Sequence, residues 1–333
     1  MFDRTKIKRI LVISLSNIGD VVLTFPVIDI LKNDFPEAEL SIVVGPKGEP
    51  LLKENYCIHQ VHIFNKRQPL FKTLHWLVKL RKESFDLIVD LRNTAIPFFA
   101  RTRYVTAPFI KRLKEKHMLE QHLNRLKSIY PYLKRPEKRY ALRISEDDRD
   151  HIDNILENKI PPGEKFMIVC AGAADSAKRW TEDGFASVCD AVIDLYNVHI
   201  VFAGDTDDRN VTQQIIKKMH NSPLHLCGRT SLTQLAYLLQ KALLLLTNDS
   251  APMHIASYFD VPVVALFGPT DPQKYGPWSK EHCVVQSKEI CPKCENRKTK
   301  EPHRCMQTIK PSQVLQECDA LIKKRLNGNE SNL

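Results

Sequence analysis

Three short segments carry residue types whose chemistry goes beyond packing. The first is Ser16-Asn17-Ile18-Gly19-Asp20, where an apolar run turns into a helical pattern. Gly19 permits a tight turn, and Asp20 falls in the first helical turn, where the helix dipole favours a negative charge. A carboxylate so placed can take a proton from a hydroxyl. The second is Ala171-Gly172-Ala173-Ala174-Asp175-Ser176-Ala177-Lys178-Arg179-Trp180. Its small residues let backbone N–H groups approach an anion, and Lys178 adds a point charge. The third begins Thr247-Asn248-Asp249-Ser250-Ala251-Pro252-Met253-His254 and continues to Phe267-Gly268-Pro269-Thr270-Asp271-Pro272. A helix starting near Ser250, with Pro252 in its first turn, would leave N–H groups free for a diphosphate. Asp249 can accept hydrogen bonds from sugar hydroxyls.

Each segment also has a plainer reading. Asp20 can be a helix-start residue, and Ala171–Trp180 a surface loop with a solvated Lys-Arg pair. Asp249 or Ser250 can be a helix cap and His254 a packed core residue. The dinucleotide fingerprint G-x-G-x-x-G is missing from the first strand-to-helix turn, which removes the main support for a nicotinamide-linked oxidoreductase.

Cysteine usage divides in two. Six of the nine cysteines are scattered in apolar or helical surroundings, as small core residues of a reducing compartment. Cys291, Cys294 and Cys305 cluster, with His303 among them. Four N/S ligands can hold zinc, but this spacing matches no standard finger, and free thiols or a local disulfide fit it too.

The elements that must position these residues alternate. Apolar, β-branched runs at Ile7–Leu15, Leu40–Val44, Val61–Phe64 and Phe85–Leu91 predict strands covered on both faces. Between and after them, helical periodicity appears at Val21–Leu31, at Gly48–Asn55, over Phe71–Lys82, Met118–Tyr132 and Glu146–Asn158, with Thr24 as a cap before Pro26. Pro161-Pro162-Gly163 reads as a linker. The alternation then restarts: strands at Phe166–Ala171, Val198–Ala203, Leu224–Leu226, Leu243–Leu246 and Val261–Phe267, and helices at Thr181–Leu195, Asp207–Met219, Leu232–Gln240 and Pro252–Tyr258. A last helix covers Pro311–Leu326. The expected fold class is α/β, with two parallel-sheet domains facing across a cleft at the carboxyl ends of their strands. The expected division is 1–160, 161–310, and a final segment 311–333 packing back toward the first domain.

Gly19-Asp20, Lys178-x-Trp180, Gly228-Arg229-Thr230-Ser231-Leu232 and the Asp249 to Pro272 run, in this order and spacing, resemble the ADP-heptose:lipopolysaccharide heptosyltransferase family, glycosyltransferase family 9. The resemblance implies a GT-B fold of two Rossmann-like domains. It implies transfer of a heptose, with inversion, from an ADP-activated donor to an inner-core glycolipid, without a catalytic metal or a cofactor. Carried over by position, Asp20 takes the place of the general base and Lys178 that of the group stabilising the leaving diphosphate. Gly19, Gly172, Trp180, Asp249, Ser250, Ala251, His254 and Thr270 fall to the donor site. Asp207 or Asp208 stands where the family often carries a Glu near the nucleotide. Ala251 replaces a usual Gly, and the acid at 207/208 is shorter, so donor identity stays open. Two rivals are a nucleotide-sugar epimerase or hydrolase on the same fold, and a non-catalytic glycolipid-binding protein.

Charge adds a further expectation. The net charge of +10 is matched by residues 101–143 alone, with thirteen basic and three acidic residues. Lys111, Arg112, Lys114 and Lys116, with aromatics nearby, predict a face that meets an anionic glycolipid at the inner leaflet of a membrane. No nucleic-acid module accompanies the charge. The apolar run Ile10–Leu15 is far shorter than a ~20-residue span or a secretory signal, so the expected place is the cytoplasm, at the membrane periphery.

Overall fold

The computed structural model describes residues 2–14, 17–107, 116–289, 291–295 and 304–327. The chain forms two compact units, Met1–Arg143 and Ile144–Leu333. The first contains β1 (Arg9–Ile13), α1 (Ile18–Val22), α2 (Phe25–Asp34), β2 (Glu39–Val44), β3 (Gln60–Ile63), α3 (Leu70–Lys82), β4 (Ser84–Asp90), α4 (Ile96–Phe99), β5 (Arg101–Val105) and α5 (Met118–Lys127). The second contains α6 (Glu146–Glu157), β6 (Phe166–Cys170), α7 (Glu182–Tyr196), β7 (His199–Phe202), α8 (Arg209–Lys218), β8 (Leu224–His225), α9 (Leu232–Lys241), β9 (Leu244–Asn248), α10 (Ala251–Tyr258), β10 (Val263–Phe267), α11 (Pro272–Tyr275), β11 (His282–Gln286), α12 (Pro292–Glu295) and α13 (Pro311–Asn327).

Both sheets are parallel, with strand orders β3-β2-β1-β4-β5 and β11-β10-β9-β6-β7-β8. The central strands are buried along their length because helices cover both faces, which is why they read as continuous apolar runs. In each sheet the chain builds outward, then returns and builds the other way. That reversal falls between β1 and β4 in the first sheet and between β6 and β9 in the second. The loops leaving the carboxyl ends of those strand pairs are thereby set side by side, the usual place for a ligand in an open parallel sheet.

Helix starts follow local chemistry. Thr181 caps α7 by accepting from the Gly184 amide at 3.1 Å. Ser145 caps α6 through the Asp148 amide, and Ser231 with Gln234 forms a capping box on α9. Pro26 separates α1 from α2 as expected, but Thr24 does not cap α2. Its hydroxyl donates to the Val21 carbonyl at 2.6 Å and meets Ser14 Oγ at 2.9 Å.

The structure differs from expectation at several further elements. Residues 48–55 hold only a 3-10 turn at Glu49–Leu51. β5 and β11 were not anticipated; both are edge strands with alternating exposure and mixed polarity. The units divide before α6, ahead of Pro161–Gly163, because α6 belongs with α9: Tyr237 Oη donates to Asp153 at 2.9 Å and Lys241 pairs with it at 2.7 Å. The final helix packs on α7 and on β9, β10 and β11, burying Val314, Cys318 and Ile322 in the second unit's core.

Candidate functional site

In the first unit the site begins at the loop after β1. Gly19 and Asp20 lie in the first turn of α1, and Gly19 has ordinary helical backbone rather than a left-handed turn. Asp20 is half-buried. Asn17 Nδ2 donates to its Oδ2 at 3.2 Å, and an Arg92 guanidinium nitrogen lies 4.0 Å from its Oδ1. Arg92 comes from the loop after β4, which register places beside β1: Ile13 is level with Asp90.

That loop is tightly built. Buried Asp90 accepts from the Arg92 and Thr94 amides at 2.8 and 2.7 Å and from the Thr94 hydroxyl at 3.0 Å. Asn93 has positive φ (53°) and receives the Arg125 guanidinium from α5. Near it His122 is fully buried, with no hydrogen-bond partner on Nδ1 among the described residues. Burial, reinforced by the charges of Arg92, Arg125 and His117, pushes its pKa down to about 3, so it is neutral at physiological pH. Arg92 thus stands beside Asp20, while Arg125 reaches the same loop through Asn93 and His122 adds no further cation. The sequence reading did not single out Arg92, Asp90 or His122. The signal was that Asp90-x-Arg92-Asn93 closes a buried strand, but its adjacency to β1 needed the strand order.

In the second unit the switch point joins the loops after β6 and β9. Lys178 closes a 3-10 turn, Ser176–Lys178, capped by Asp175 through the Ala177 amide at 3.0 Å. Its ammonium donates to Asp249 Oδ2 at 2.7 Å; Asp249 is 6% exposed and Lys178 29%. Asp249 ends β9, and Ser250 is the N-cap residue of α10, with Ala251 and Pro252 in its first turn and no side-chain cap bond. Ser250 Oγ is 3.2 Å from Thr247 Oγ1. The Ala251 amide at the start of α10 and the Lys178–Asp249 ion pair therefore lie together at one end of the sheet, in a partly buried place.

The two loops are tied by Asn248. Its Oδ1 accepts from the Trp180 amide at 3.1 Å, and its Nδ2 donates to the Ala171 carbonyl at 2.7 Å. Trp180 is buried, and its indole donates to the Ile309 carbonyl at 3.0 Å, so its polar groups hold the Lys178 loop in place. His254 is buried and stacked on Trp278 with ring centroids 5.5 Å apart, as a packed core residue would be. Thr270 is half-exposed in the loop after β10, its carbonyl accepting from Gln286 at 3.4 Å.

Gly172 has a reason other than approach to an anion. A Cβ there would lie 1.8 Å from Asp208 Oδ1, so this glycine makes room for the Asp208 carboxyl, which also sits against Gly204. Burial, then the charge of Asp205, raises the Asp208 pKa, while the Asp205 amide donates to its Oδ2 at 3.1 Å. Asp207 is exposed. Lys116 is exposed, whereas Lys111, Arg112, Lys114 and His303 lie outside the described residues. Cys291, Cys294 and Cys305 converge, with all three sulfurs within 4.8 Å of one another.

Comparison with known proteins bears on the family and the fold. Residues 98–304 match the model of glycosyltransferase family 9 (heptosyltransferase). Lipooligosaccharide heptosyltransferase 2 of Campylobacter jejuni is 25% identical over 320 residues, covering 92% of this chain and 96% of its own. Among solved structures, a family 9 glycosyl transferase from Veillonella parvula superposes with a TM-score of 0.79 at 24% identity, covering 95% of this chain and 97% of its own. The E. coli ADP-heptose lps heptosyltransferase II does so with a TM-score of 0.75 at 22% identity, covering 95% and 99%. The family match spans more than half of the chain, and the similar structures share its two parallel-sheet α/β domains: the chain belongs to glycosyltransferase family 9, the heptosyltransferases, and is a glycosyltransferase of the GT-B fold class.

Proposed function

We propose that this chain transfers a heptose from an ADP-activated donor to the inner core of lipopolysaccharide or a related glycolipid, with inversion and without a metal at the reacting carbon. The observation that carries the reading is the Lys178–Asp249 pair at the start of α10. Lys178 and the α10 amides oppose the charge that grows on the diphosphate as the anomeric C–O bond breaks. Asp249 holds the ammonium in position beforehand, and its remaining lone pairs suit sugar hydroxyls. Asp20 accepts the proton of the acceptor hydroxyl as that oxygen bonds the anomeric carbon. Asn17 and Arg92 fix the carboxylate's orientation. One displacement on the face opposite the leaving group inverts the configuration. The names of the Campylobacter and E. coli relatives point to the same acceptor class, and the E. coli one to ADP-heptose. The test is to incubate the purified chain with ADP-heptose and a heptose-deficient lipopolysaccharide. One heptose per acceptor and one ADP per transfer support the reading. Release or epimerisation of the sugar without acceptor dependence would replace it with the hydrolase or epimerase alternative.

We infer further that the first unit meets its glycolipid at an anionic, inner-leaflet membrane surface through α3 and α4. Leu70, Phe71, Leu74 and Val78 on α3 and Phe98 and Phe99 after it are exposed. Leu70–Lys82 contains Lys72, Lys79, Arg81 and Lys82 and no acidic residue. Apolar cavity space of about 290 Å³, lined by Phe64, Leu77, Ile96 and Phe99, opens beside these helices. An exposed apolar stripe with basic neighbours is the composition of a helix that lies in a bilayer interface. No described helix is long and apolar enough to cross a membrane.

A further inference from the structure

The cysteine cluster lies outside the transfer chemistry. Cys291 Sγ is 3.3 Å from Cys294 Sγ, which is 3.5 Å from Cys305 Sγ. Among the described residues this is the one group of three such ligand atoms. A disulfide needs sulfurs at ~2.05 Å, and three thiols cannot all be paired by one. Around a tetrahedral ion with metal–sulfur bonds of ~2.3 Å, sulfurs stand about 3.8 Å apart, close to the spacing here. Cys291 and Cys305 are buried, which removes their sulfurs from competing solvent.

The three residues come from two segments. Cys291 precedes α12 and Cys294 lies within it, its amide closing the turn on the Cys291 carbonyl at 2.8 Å. Cys305 opens a 3-10 turn, Cys305–Thr308. That turn abuts the donor site. Met306 Sδ lies 2.7 Å from where a Cβ on Gly268 would sit, and Ile309 accepts the Trp180 indole hydrogen bond at 3.0 Å.

We propose that Cys291, Cys294 and Cys305 bind a single borderline-soft divalent ion of the Zn2+ type, which ties the 3-10 turn at Cys305–Thr308 to α12 and so braces the Trp180 end of the Lys178 loop. The three thiols give up their protons to solvent on binding, and one coordination position is left for a ligand other than these cysteines. The role is structural: the ion is held by side chains packed into the second unit's core, and the transfer step does not use it.

The test uses the full chain, reduced and stripped with a chelator, then titrated with Co2+ and with Zn2+ against a chromophoric competitor. The expected result is one ion per chain, thiolate-to-Co2+ charge-transfer absorption, and a rise in Tm with Zn2+. Cys305→Ser should weaken binding at least tenfold, while Cys283→Ser, outside the cluster, should leave it unchanged. No saturable one-to-one binding, absence of the charge-transfer band, or equal affinity in Cys305→Ser overturns the proposal. So does a disulfide among the three in the freshly purified chain that persists without metal. The absorption is read on the unsubstituted protein, so a misfolded variant does not leave the question open. None of these readouts depends on sugar transfer.

Discussion

Lys178 is anchored before any ligand arrives. A flexible lysine would have to give up side-chain freedom on binding; here Asp249, almost fully buried, has already fixed the ammonium at 2.7 Å. Preorganised charge at the point where negative charge develops is worth most in the transition state. Lys178→Ala should therefore lower kcat/KM by about 2–4 kcal/mol, roughly 30- to 1000-fold, and weaken ADP binding in calorimetry as well. Unchanged ADP affinity would place Lys178 outside the donor site. At this scale the sequence was informative where residue type and position coincide: Lys178, Asp249 and Ser250 fall at strand-to-helix turns, and the structure gathers them. It read Gly172 as room for an anion and missed the Asp208 carboxyl, which reaches Gly172 from the loop after the neighbouring strand β7. It was silent on Arg92 for a similar reason, since a basic residue after a strand is common and gains meaning only once β4 is known to lie beside β1.

At the scale of elements, the central strands were legible because burial on both faces leaves an uninterrupted apolar run. β5 and β11 were not, since edge strands with one covered face and mixed polarity do not stand out by periodicity. α5 carries a cost that only packing reveals. It places His122 near the Asp90–Thr94 loop, buried and close to Arg92 and Arg125, which lowers its pKa to about 3 from an ordinary 6.5. The sign is fixed: below pH 6.5 the unfolded chain takes up a proton that the folded chain refuses until about pH 3. This group alone then removes about 1.4 kcal/mol of stability per pH unit across that window, and nothing above it. Urea unfolding of the wild type and His122→Asn at pH 7 and pH 5 should show the wild type losing about 2 kcal/mol more than the variant. Equal losses would mean that His122 is protonated in the folded state.

At the scale of the whole molecule, two units repeat one topology and put their chemistry at the same topological place, the loops leaving the reversal point of a parallel sheet. The exposed apolar residues of α3 and α4 and the basic residues of α3 underlie the proposed attachment of the first unit to lipid. Replacing Leu70, Phe71, Leu74 and Val78 with Ser should abolish co-sedimentation with anionic vesicles at low salt, and the wild type should release as salt rises or when neutral lipid replaces anionic. Equal wild-type binding to neutral vesicles, or wild-type affinity in the variant, would remove the membrane reading and leave the transferase reading intact. The central claim is a division of labour, with donor binding in the second unit and proton removal by Asp20 in the first. The most direct test is turnover of ADP-heptose by Asp20→Asn beside its donor affinity. An amide keeps the carboxylate's shape and cannot take the proton. The account predicts an unchanged Kd for ADP-heptose with transfer reduced by at least ~100-fold, the scale of a lost general base. Turnover within a few-fold of the wild type at the same donor affinity would contradict it and leave Asp20 a helix-start residue.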